Sequence, residues 1–319
     1  MQSAIVEVVR TFRAMNTDVE AVVCVPAGQL IAGEIALGRV EVLFAEAEKA
    51  LSRFRPDSEL ALLNARSGSD FKASPLLFGA LEVAMEAARV TNGLVDPTVL
   101  PCLIESGYDR SFEVVPSQRA AGDCVSSNRR CSWRDVLMDH ARSIVRIPSG
   151  CGIDLGGSAK GWTVERSRSL LDAFPGYAID AGGDIAVGGV RADGSAWTIG
   201  IADPQRGDQD LQVLKLSWGA VCTSSSARRR WRVGDEWRHH IIDPRTGRPS
   251  DSPVVSATVI ADSATLAESL SKAALLLGPR EGVEFVLRHS PSRCVLVLDS
   301  GQIIDSAAAE PCERVSHVA

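Results

Sequence analysis

Five strand-like segments lie between residues 177 and 261, with no long helical segment among them. They are rich in β-branched residues and bounded by Gly, Pro, Asp or Ser, and they span 177–180, 197–202, 212–218, 237–243 and 254–261. Helical spacing of apolar residues occurs instead before this run and after it, at 33–53, 75–91, from Gly161 to about Leu171, 263–277 and 279–289. Because strands and helices are segregated more than they alternate, the sequence predicts an α+β fold, not a doubly wound sheet.

The two ends of the chain add further strands. Residues 4–14 and 18–25 are rich in Val and Ile and predict a strand pair, and residues 294–298 and 303–304 predict a closing hairpin. Since no Pro- or Ser-rich linker interrupts the chain, we expect a single domain over 1–306. Within it we expect 110–132 to be a surface loop, and we expect 307–319 to be a frayed tail.

Charge and hydrophobicity exclude several classes of protein. No run reaches eighteen apolar residues, and the first twenty residues lack a signal-peptide pattern, so we expect a cytoplasmic protein without a membrane span. The net charge of −6 argues against a nucleic-acid partner, because phosphate binding needs a concentrated positive surface. One short basic cluster, 228–232, is either a solvated face or a clamp for a phosphate-bearing ligand. The eight cysteines show neither CxxC nor zinc spacing, which predicts unpaired thiols, several of them buried.

The segment from Ile153 to Gly161 predicts a Gly-rich turn that enters a helix. Such a turn presents backbone N–H groups at a helix N-terminus, where an anion is favoured. Lys160 could add a positive charge to a phosphate, and Asp154 could hold a hydroxyl, a ring N–H or the water of a cation. An ordinary tight turn with a surface lysine explains the pattern equally well.

Three further segments contain candidate functional residues, and each segment also has an ordinary structural explanation. The pair Gly182-Gly183 allows close approach of a ligand or simply a bulge. His240 stands at a strand end before the turn-forming residues 243–247, as a general base or as a structural side chain. Glu268 and Lys272 share one face of the helix predicted at 263–277, where an exposed i,i+4 ion pair is common.

Taken in chain order, these segments resemble the FAD:protein FMN transferase family, the ApbE-like enzymes. Four more segments are similar to the family's motifs. They are Ala14-Met15-Asn16-Thr17, residues 51–60 with Asn64, residues 93–99, and Thr223-Ser224-Ser225. The resemblance covers about residues 10–305.

The resemblance implies a fold related to the T-fold, with FAD in a cleft between two lobes. It implies an enzyme that cleaves the FAD pyrophosphate with help from Mg²⁺ and attaches FMN through a phosphoester to a Ser or Thr of an acceptor flavoprotein. The implied FAD site consists of Met15, Phe54, Val95, Asp96, Asp154, Lys160, His240 and Ile242, with Asp154 and His240 in catalytic roles. The implied metal site consists of the Gly157 carbonyl and the late-helix positions Glu268, Ser271 and Lys272.

The chain departs from the family pattern mainly on that late helix. Glu268 stands where the family has Asp, and Lys272 stands where it has Thr. An ammonium group donates hydrogen bonds but cannot ligate a metal, whereas Mg²⁺ requires octahedral oxygen ligands. Lys272 could therefore weaken metal binding or bring its own charge to the pyrophosphate. A flavin-binding relative without catalysis, and a hydrolase that splits FAD into FMN and AMP, are the alternative functions.

Overall fold

The computed structural model describes residues 4–119, 131–207, 209–289 and 291–309. The strands are β1 (Ile5–Ala14), β2 (Thr17–Pro26), β3 (Phe71–Lys72), β4 (Gln118–Arg119), β5 (Leu137–Asp139), β6 (Ile144–Arg146), β7 (Gly176–Ala181), β8 (Asp184–Gly189), β9 (Trp197–Ala202), β10 (Asp210–Leu216), β11 (Trp218–Ser225), β12 (Arg230–Val233), β13 (Glu236–His239), β14 (Ile242–Asp243), β15 (Arg248–Pro249), β16 (Val254–Ala261), β17 (Arg293–Leu298) and β18 (Ile303–Asp305). The α-helices are α1 (Leu30–Leu51), α2 (Glu59–Ala65), α3 (Pro75–Val90), α4 (Leu100–Glu105), α5 (Ala159–Leu171), α6 (Ala264–Leu277) and α7 (Pro279–Leu287).

Eight strands form a central antiparallel sheet in the order β1-β2-β7-β8-β11-β16-β17-β18. The helices α1, α5, α6 and α7 contact its strands, and the apolar residues between these two layers form the main core. A separate cluster joins the β9–β10 hairpin, through Trp197, Ile199 and Ile201, to sheet residues such as Val22 and Val187. The alternation of buried and exposed residues in β9 fits this packing, since only one face of the hairpin is covered.

A smaller unit packs beside the sheet. Its core combines the end of α1 with α2, α3, the β3-β6-β5 sheet and the segment leading into α5. The side chain of Asn64 in α2 makes two hydrogen bonds to that segment. It donates to the Ile153 carbonyl at 2.9 Å and accepts from the Ile153 N–H at 2.8 Å. The backbone that enters the Gly-rich turn is thereby fixed to the smaller unit.

The α+β class is confirmed, and most predicted elements form. The predicted strand at 237–243 is wrong as one element, because it divides into β13 and β14 around His240. Strands β8 and β11 were not predicted, since their Gly- and Ser-containing sequences carry a weak strand signal. The relation to the T-fold remains a prediction.

The prediction that the thiols are unpaired is wrong for one pair. Cys131 and Cys151 form a disulfide across 20 residues of sequence, with their Cα atoms 5.9 Å apart. Cys24, Cys222 and Cys294 are buried thiols, as predicted, and Cys124 and Cys312 lie outside the described residues. Spacing alone did not reveal the pair, because the packing of the smaller unit decides which cysteines meet.

Two other expectations fall partly outside the described residues. Of the predicted loop 110–132, the described parts form a 3₁₀ turn at Phe112–Val114 and the short strand β4. Residues 306–309 form a 3₁₀ turn, and the remainder of the predicted tail lies beyond the described ranges. Within those ranges, no helix is both long and apolar enough to cross a membrane.

Candidate functional site

A cavity of about 360 Å³ opens where the smaller unit meets the helix side of the central sheet. All eight residues predicted for the FAD site line it: Met15, Phe54, Val95, Asp96, Asp154, Lys160, His240 and Ile242. They come from five separate stretches of sequence. A cavity of this size, lined by apolar side chains with a few charged groups, is typical of a small-molecule or cofactor site.

Asp154 is held rigidly at the start of the Gly-rich turn. Its backbone N–H donates to the Pro97 carbonyl at 2.8 Å, and its side chain accepts from the Gly156 N–H at 2.9 Å. Its other carboxylate oxygen forms an ion pair with Nε of Arg53 at 2.5 Å. Since both side chains are largely buried, the pair fixes the orientation of the carboxylate toward the cavity.

Arg53 also organises the rings on one side of the cavity. Its guanidinium lies 4.1 Å from the centre of the Phe54 ring and 4.7 Å from that of Tyr108. Tyr108 stacks in turn on the buried Trp231 at 5.3 Å. We call these four residues the aromatic wall. Phe54 keeps 38% of its surface exposed, so a flat ligand could stack on it.

Lys160, in the first turn of α5, pairs with a carboxylate from the neighbouring hairpin. Its amine lies 2.5 Å from Asp184, the first residue of β8, whose side chain is buried. Gly182 and Gly183 have φ angles of +67° and +91°, so they are needed for the tight turn between β7 and β8. Burial alone would lower the pKa of Lys160, but the carboxylates of Asp184 and Glu268 raise it.

The late helix α6 delivers two side chains to the same turn. Glu268 is buried and accepts from the Gly161 N–H at 3.0 Å, while the amine of Lys272 donates to the Gly157 carbonyl at 2.8 Å. Glu268 and Lys272 therefore bond to backbone groups of the turn and do not form the exposed ion pair that their i,i+4 spacing allowed. We call Gly157, Lys160, Asp184, Glu268 and Lys272 the charged wall.

The residues assigned to Mg²⁺ do not fit an octahedral oxygen site. The Gly157 carbonyl is bonded to the Lys272 amine, and Lys272 offers no lone pair while charged. The Ser271 hydroxyl is fully buried and bonds to Ser224 at 2.8 Å and to the Glu268 carbonyl at 3.0 Å, so it is already occupied. Within the described residues, no group of three or more His, Cys, Asp or Glu side chains could hold a metal ion.

His240 contributes a polar group without a protein partner. Its Nδ1 is buried and has no hydrogen-bond partner among the described residues. Burial, together with Arg229 and Lys272, lowers the pKa of His240 well below its ordinary value of 6.5, so the ring is neutral at pH 7. A neutral imidazole with an unsatisfied nitrogen can accept a proton from a ligand or donate to one.

Two other predicted residues carry structural roles. Met15 has a φ angle of +50° in the turn between β1 and β2, a conformation that non-Gly residues adopt only at a cost. Asp96 accepts from the Thr98 N–H at 2.8 Å and from the Trp133 N–H at 3.1 Å, so its carboxylate shapes the loop beside the cavity. Backbone strain of this kind is found at functional sites and at tight turns.

The arginines of the basic cluster at 228–232 do not all take the same one of the two roles considered for it. Arg229 lines the cavity. Arg230 and Arg232 instead lie over the ring of Trp237, at 5.2 Å and 5.7 Å, on the outside of β12. One arginine of the cluster is therefore placed to meet an anionic ligand.

Sequence reasoning assigned no role to three residues of the site, namely Arg53 and Tyr108, which line the cavity, and Asp184, which pairs with Lys160. Arg53 lies within the motif segment 51–60 and Asp184 directly follows the pair Gly182-Gly183, so the available signal was an unassigned charge inside each segment. Tyr108 carries no such signal, since only packing against Trp231 brings it to the site.

Comparisons with known proteins show the family and the fold of the chain. The sequence profile of the ApbE family matches residues 15–296. The FAD:protein FMN transferase of Treponema pallidum is 31% identical over 266 residues, which cover 76% of this chain and 71% of that protein. The corresponding protein of Vibrio cholerae is 27% identical over 250 residues, with 76% and 74% covered. The crystal structure of the ApbE protein from Thermotoga maritima matches with a TM-score of 0.82 and 27% identity, over 95% of this chain and 98% of that one.

Proposed function

Since the chain belongs to the ApbE family, we propose that it is an FAD:protein FMN transferase. The observation that supports the proposal is that all eight residues that the resemblance implied for the FAD site line one cavity, where the buried Nδ1 of His240 has no hydrogen-bond partner among the described residues. The curated relatives named above carry the same activity in their names.

The proposed reaction transfers FMN to a hydroxyl group. The oxygen of an acceptor Ser or Thr attacks the phosphorus of FAD that is nearer the flavin, and a new P–O bond forms. The bond from that phosphorus to the bridging oxygen breaks, and AMP leaves with the bridging oxygen. The proton of the hydroxyl passes to a base. The products are FMN bound to the acceptor through a phosphoester and AMP.

Residues of both walls have roles in this reaction. Lys272 and Arg229 provide positive charge at the pyrophosphate, where negative charge must be stabilised. Asp154, oriented by Arg53, contacts the nucleotide. His240 lines the cavity, its Nδ1 has no partner among the described residues, and it accepts the proton of the attacking hydroxyl. Phe54 offers its exposed ring for stacking.

We leave Mg²⁺ out of the proposed reaction. The chemistry of the available donors opposes it, because the Gly157 carbonyl and the Ser271 hydroxyl are already bonded and Lys272 brings a positive charge. When bound in other settings, Mg²⁺ supplies positive charge to phosphoryl oxygens. In this chain that charge must come from side chains.

The test is incubation of the protein with FAD and peptides that present a Ser or Thr hydroxyl. We expect AMP in the chromatogram and a peptide whose mass rises by FMN less one water. His240→Asn should lower the rate of AMP release by about a hundredfold or more, as expected for loss of a general base. His140→Asn changes an exposed histidine paired with Glu82 and serves as the matched control.

The outcomes separate the competing functions. AMP with free FMN and an unmodified peptide would indicate the hydrolase. FAD binding, seen as a change in flavin fluorescence, without any AMP would indicate a flavin-binding relative. No binding of FAD at all would refute the proposal.

A further inference from the structure

We propose that the ammonium group of Lys272 is a built-in cation of the site, which takes the place of a divalent metal and binds the FAD pyrophosphate directly. The inference deepens the proposed function and rests on it for the identity of the ligand. Its consequence is that FAD binds to this protein with the same affinity whether Mg²⁺ is present or absent.

The position of Lys272 carries the proposal. The side chain extends from α6 to the Gly-rich turn, lines the cavity and donates to the Gly157 carbonyl at 2.8 Å. A Cβ atom at position 157 would overlap the Lys272 amine where it now lies, so the absence of a side chain there leaves room for the amine. The ammonium group has three donors, and the contact with Gly157 uses one of them. Two donors remain for phosphate oxygens.

The neighbouring charges leave Lys272 available to a ligand. Lys160 is committed to Asp184 at 2.5 Å, and Glu268 accepts from the Gly161 backbone at 3.0 Å. Lys272 is half-buried, and it has no carboxylate within 4.0 Å among the described residues. Burial lowers its pKa, while the more distant charges of Glu268, Asp184 and Asp154 raise it. A half-buried cation without an ion-pair partner is a strong attractor for an anion.

The same position excludes a divalent cation. A metal ion bound to the Gly157 carbonyl would have to displace the ammonium group that already contacts it. Two positive charges about 4 Å apart repel each other by several kcal/mol near a protein surface. Lys272 and a metal at this carbonyl are therefore alternatives.

The test combines two substitutions with two titrations. Lys272→Thr replaces the ammonium with an oxygen and frees the Gly157 carbonyl, whereas Lys272→Met removes the charge without adding an oxygen. Lys215→Thr, on the exposed face of β10 and outside the cavity, is the matched control. Mg²⁺ is titrated calorimetrically into each protein without flavin, and FAD is then titrated by fluorescence in EDTA and in Mg²⁺. Circular dichroism verifies that each variant is folded.

We expect the unmodified protein and Lys215→Thr to bind FAD equally well in EDTA and in Mg²⁺. In EDTA, Lys272→Met and Lys272→Thr should each lose about tenfold or more in FAD affinity, the usual worth of a charge-assisted hydrogen bond to phosphate. Mg²⁺ should restore binding to Lys272→Thr only, and this variant should bind Mg²⁺ about tenfold more tightly than the unmodified protein.

Three results would overturn the proposal. One is Mg²⁺ binding by the unmodified protein as tight as that by Lys272→Thr. Another is an increase of tenfold or more in its FAD affinity when Mg²⁺ is added. The third is full FAD affinity in Lys272→Met. The Mg²⁺ titration uses no flavin, so it decides this inference even if the protein fails to bind FAD, an outcome that would refute the proposed function separately.

Discussion

The two walls of the cavity present different surfaces to a ligand and are stabilised in different ways. In the charged wall, Lys160, Glu268 and Lys272 each contact a group far away in sequence, and the partners are buried or half-buried. In the aromatic wall, a single arginine lies against the Phe54 and Tyr108 rings, and one ring face stays exposed. The charged wall is thus assembled before a ligand arrives, and the aromatic wall keeps a surface for it.

This difference predicts whether a substitution in each wall affects folding, ligand binding or both. Removing one member of a buried charge pair leaves the other charge unpaired, so changes in the charged wall should affect folding as well as binding. Removing an exposed ring exposes little new apolar surface to water, so a change at Phe54 in the aromatic wall should affect binding almost alone. Substitutions on both sides can test the contrast.

The largest effect is expected for Asp184→Asn. The Lys160 ammonium would lose the charge of its buried partner, so the free energy of unfolding should fall by about 3 kcal/mol. Urea unfolding followed by circular dichroism measures this change. Asp193→Asn, at an exposed position, should change stability by less than about 0.5 kcal/mol. Equal stability of the two variants would remove the basis for calling the charged wall preassembled.

The next effect concerns Arg53→Met, which changes the charged residue of the aromatic wall. This change leaves the Asp154 carboxylate without its ion-pair partner and removes the cation from the rings. FAD affinity should fall by about fiftyfold, or roughly 2.3 kcal/mol, because an unpaired carboxylate then faces the phosphates. Arg66→Met is the control, since Arg66 lies over the Phe71 ring outside the cavity. An unchanged dissociation constant in fluorescence titration would contradict the role of Arg53.

A smaller effect is expected for Phe54→Ala. Loss of the stacking surface should weaken FAD binding by about tenfold, or about 1.4 kcal/mol, and should change the free energy of unfolding by less than 1 kcal/mol. Trp237→Ala, at an exposed ring outside the cavity, should leave FAD affinity unchanged. If Phe54→Ala unfolded the protein, the aromatic wall would be as structural as the charged wall.

The smallest effect is a pH dependence caused by His240. Burial and the cations Arg229 and Lys272 lower its pKa in the folded protein, so below about pH 6.5 the unfolded state binds a proton that the folded state does not. The contribution of His240 to stability should therefore fall as the pH drops from 7 to 5.5, by at most about 1.4 kcal/mol per pH unit. Glu268 contributes in the opposite direction over this range, because burial raises its pKa to about 7. His240→Asn should flatten that part of the curve in urea unfolding, and His140→Asn should not. A curve that His240→Asn leaves unchanged would contradict the burial of a neutral ring.

Local sequence patterns determined most of the elements on which these walls are built. The amphipathic helices α1 and α3 and the paired strands β1 and β2 form because their periodicity and turn residues agree with their burial. Each local motif left a functional and an ordinary structural reading open, and the resemblance of the ordered motifs to the ApbE-like family predicted the residues that line the cavity. The sequences of β8 and β11 alternate only weakly between apolar and polar residues, so they did not predict strands.

What the sequence could not decide is which partner each charged group meets. The spacing of Glu268 and Lys272 allowed an exposed ion pair, and the spacing of the cysteines gave no pairing. Packing of α6 against the turn at Gly157 directs Lys272 to a carbonyl, and packing of the smaller unit brings Cys131 to Cys151. The physical reason is that residue type fixes the available charge and donors, whereas the distance between groups remote in sequence is set only when the helices and the sheet pack together.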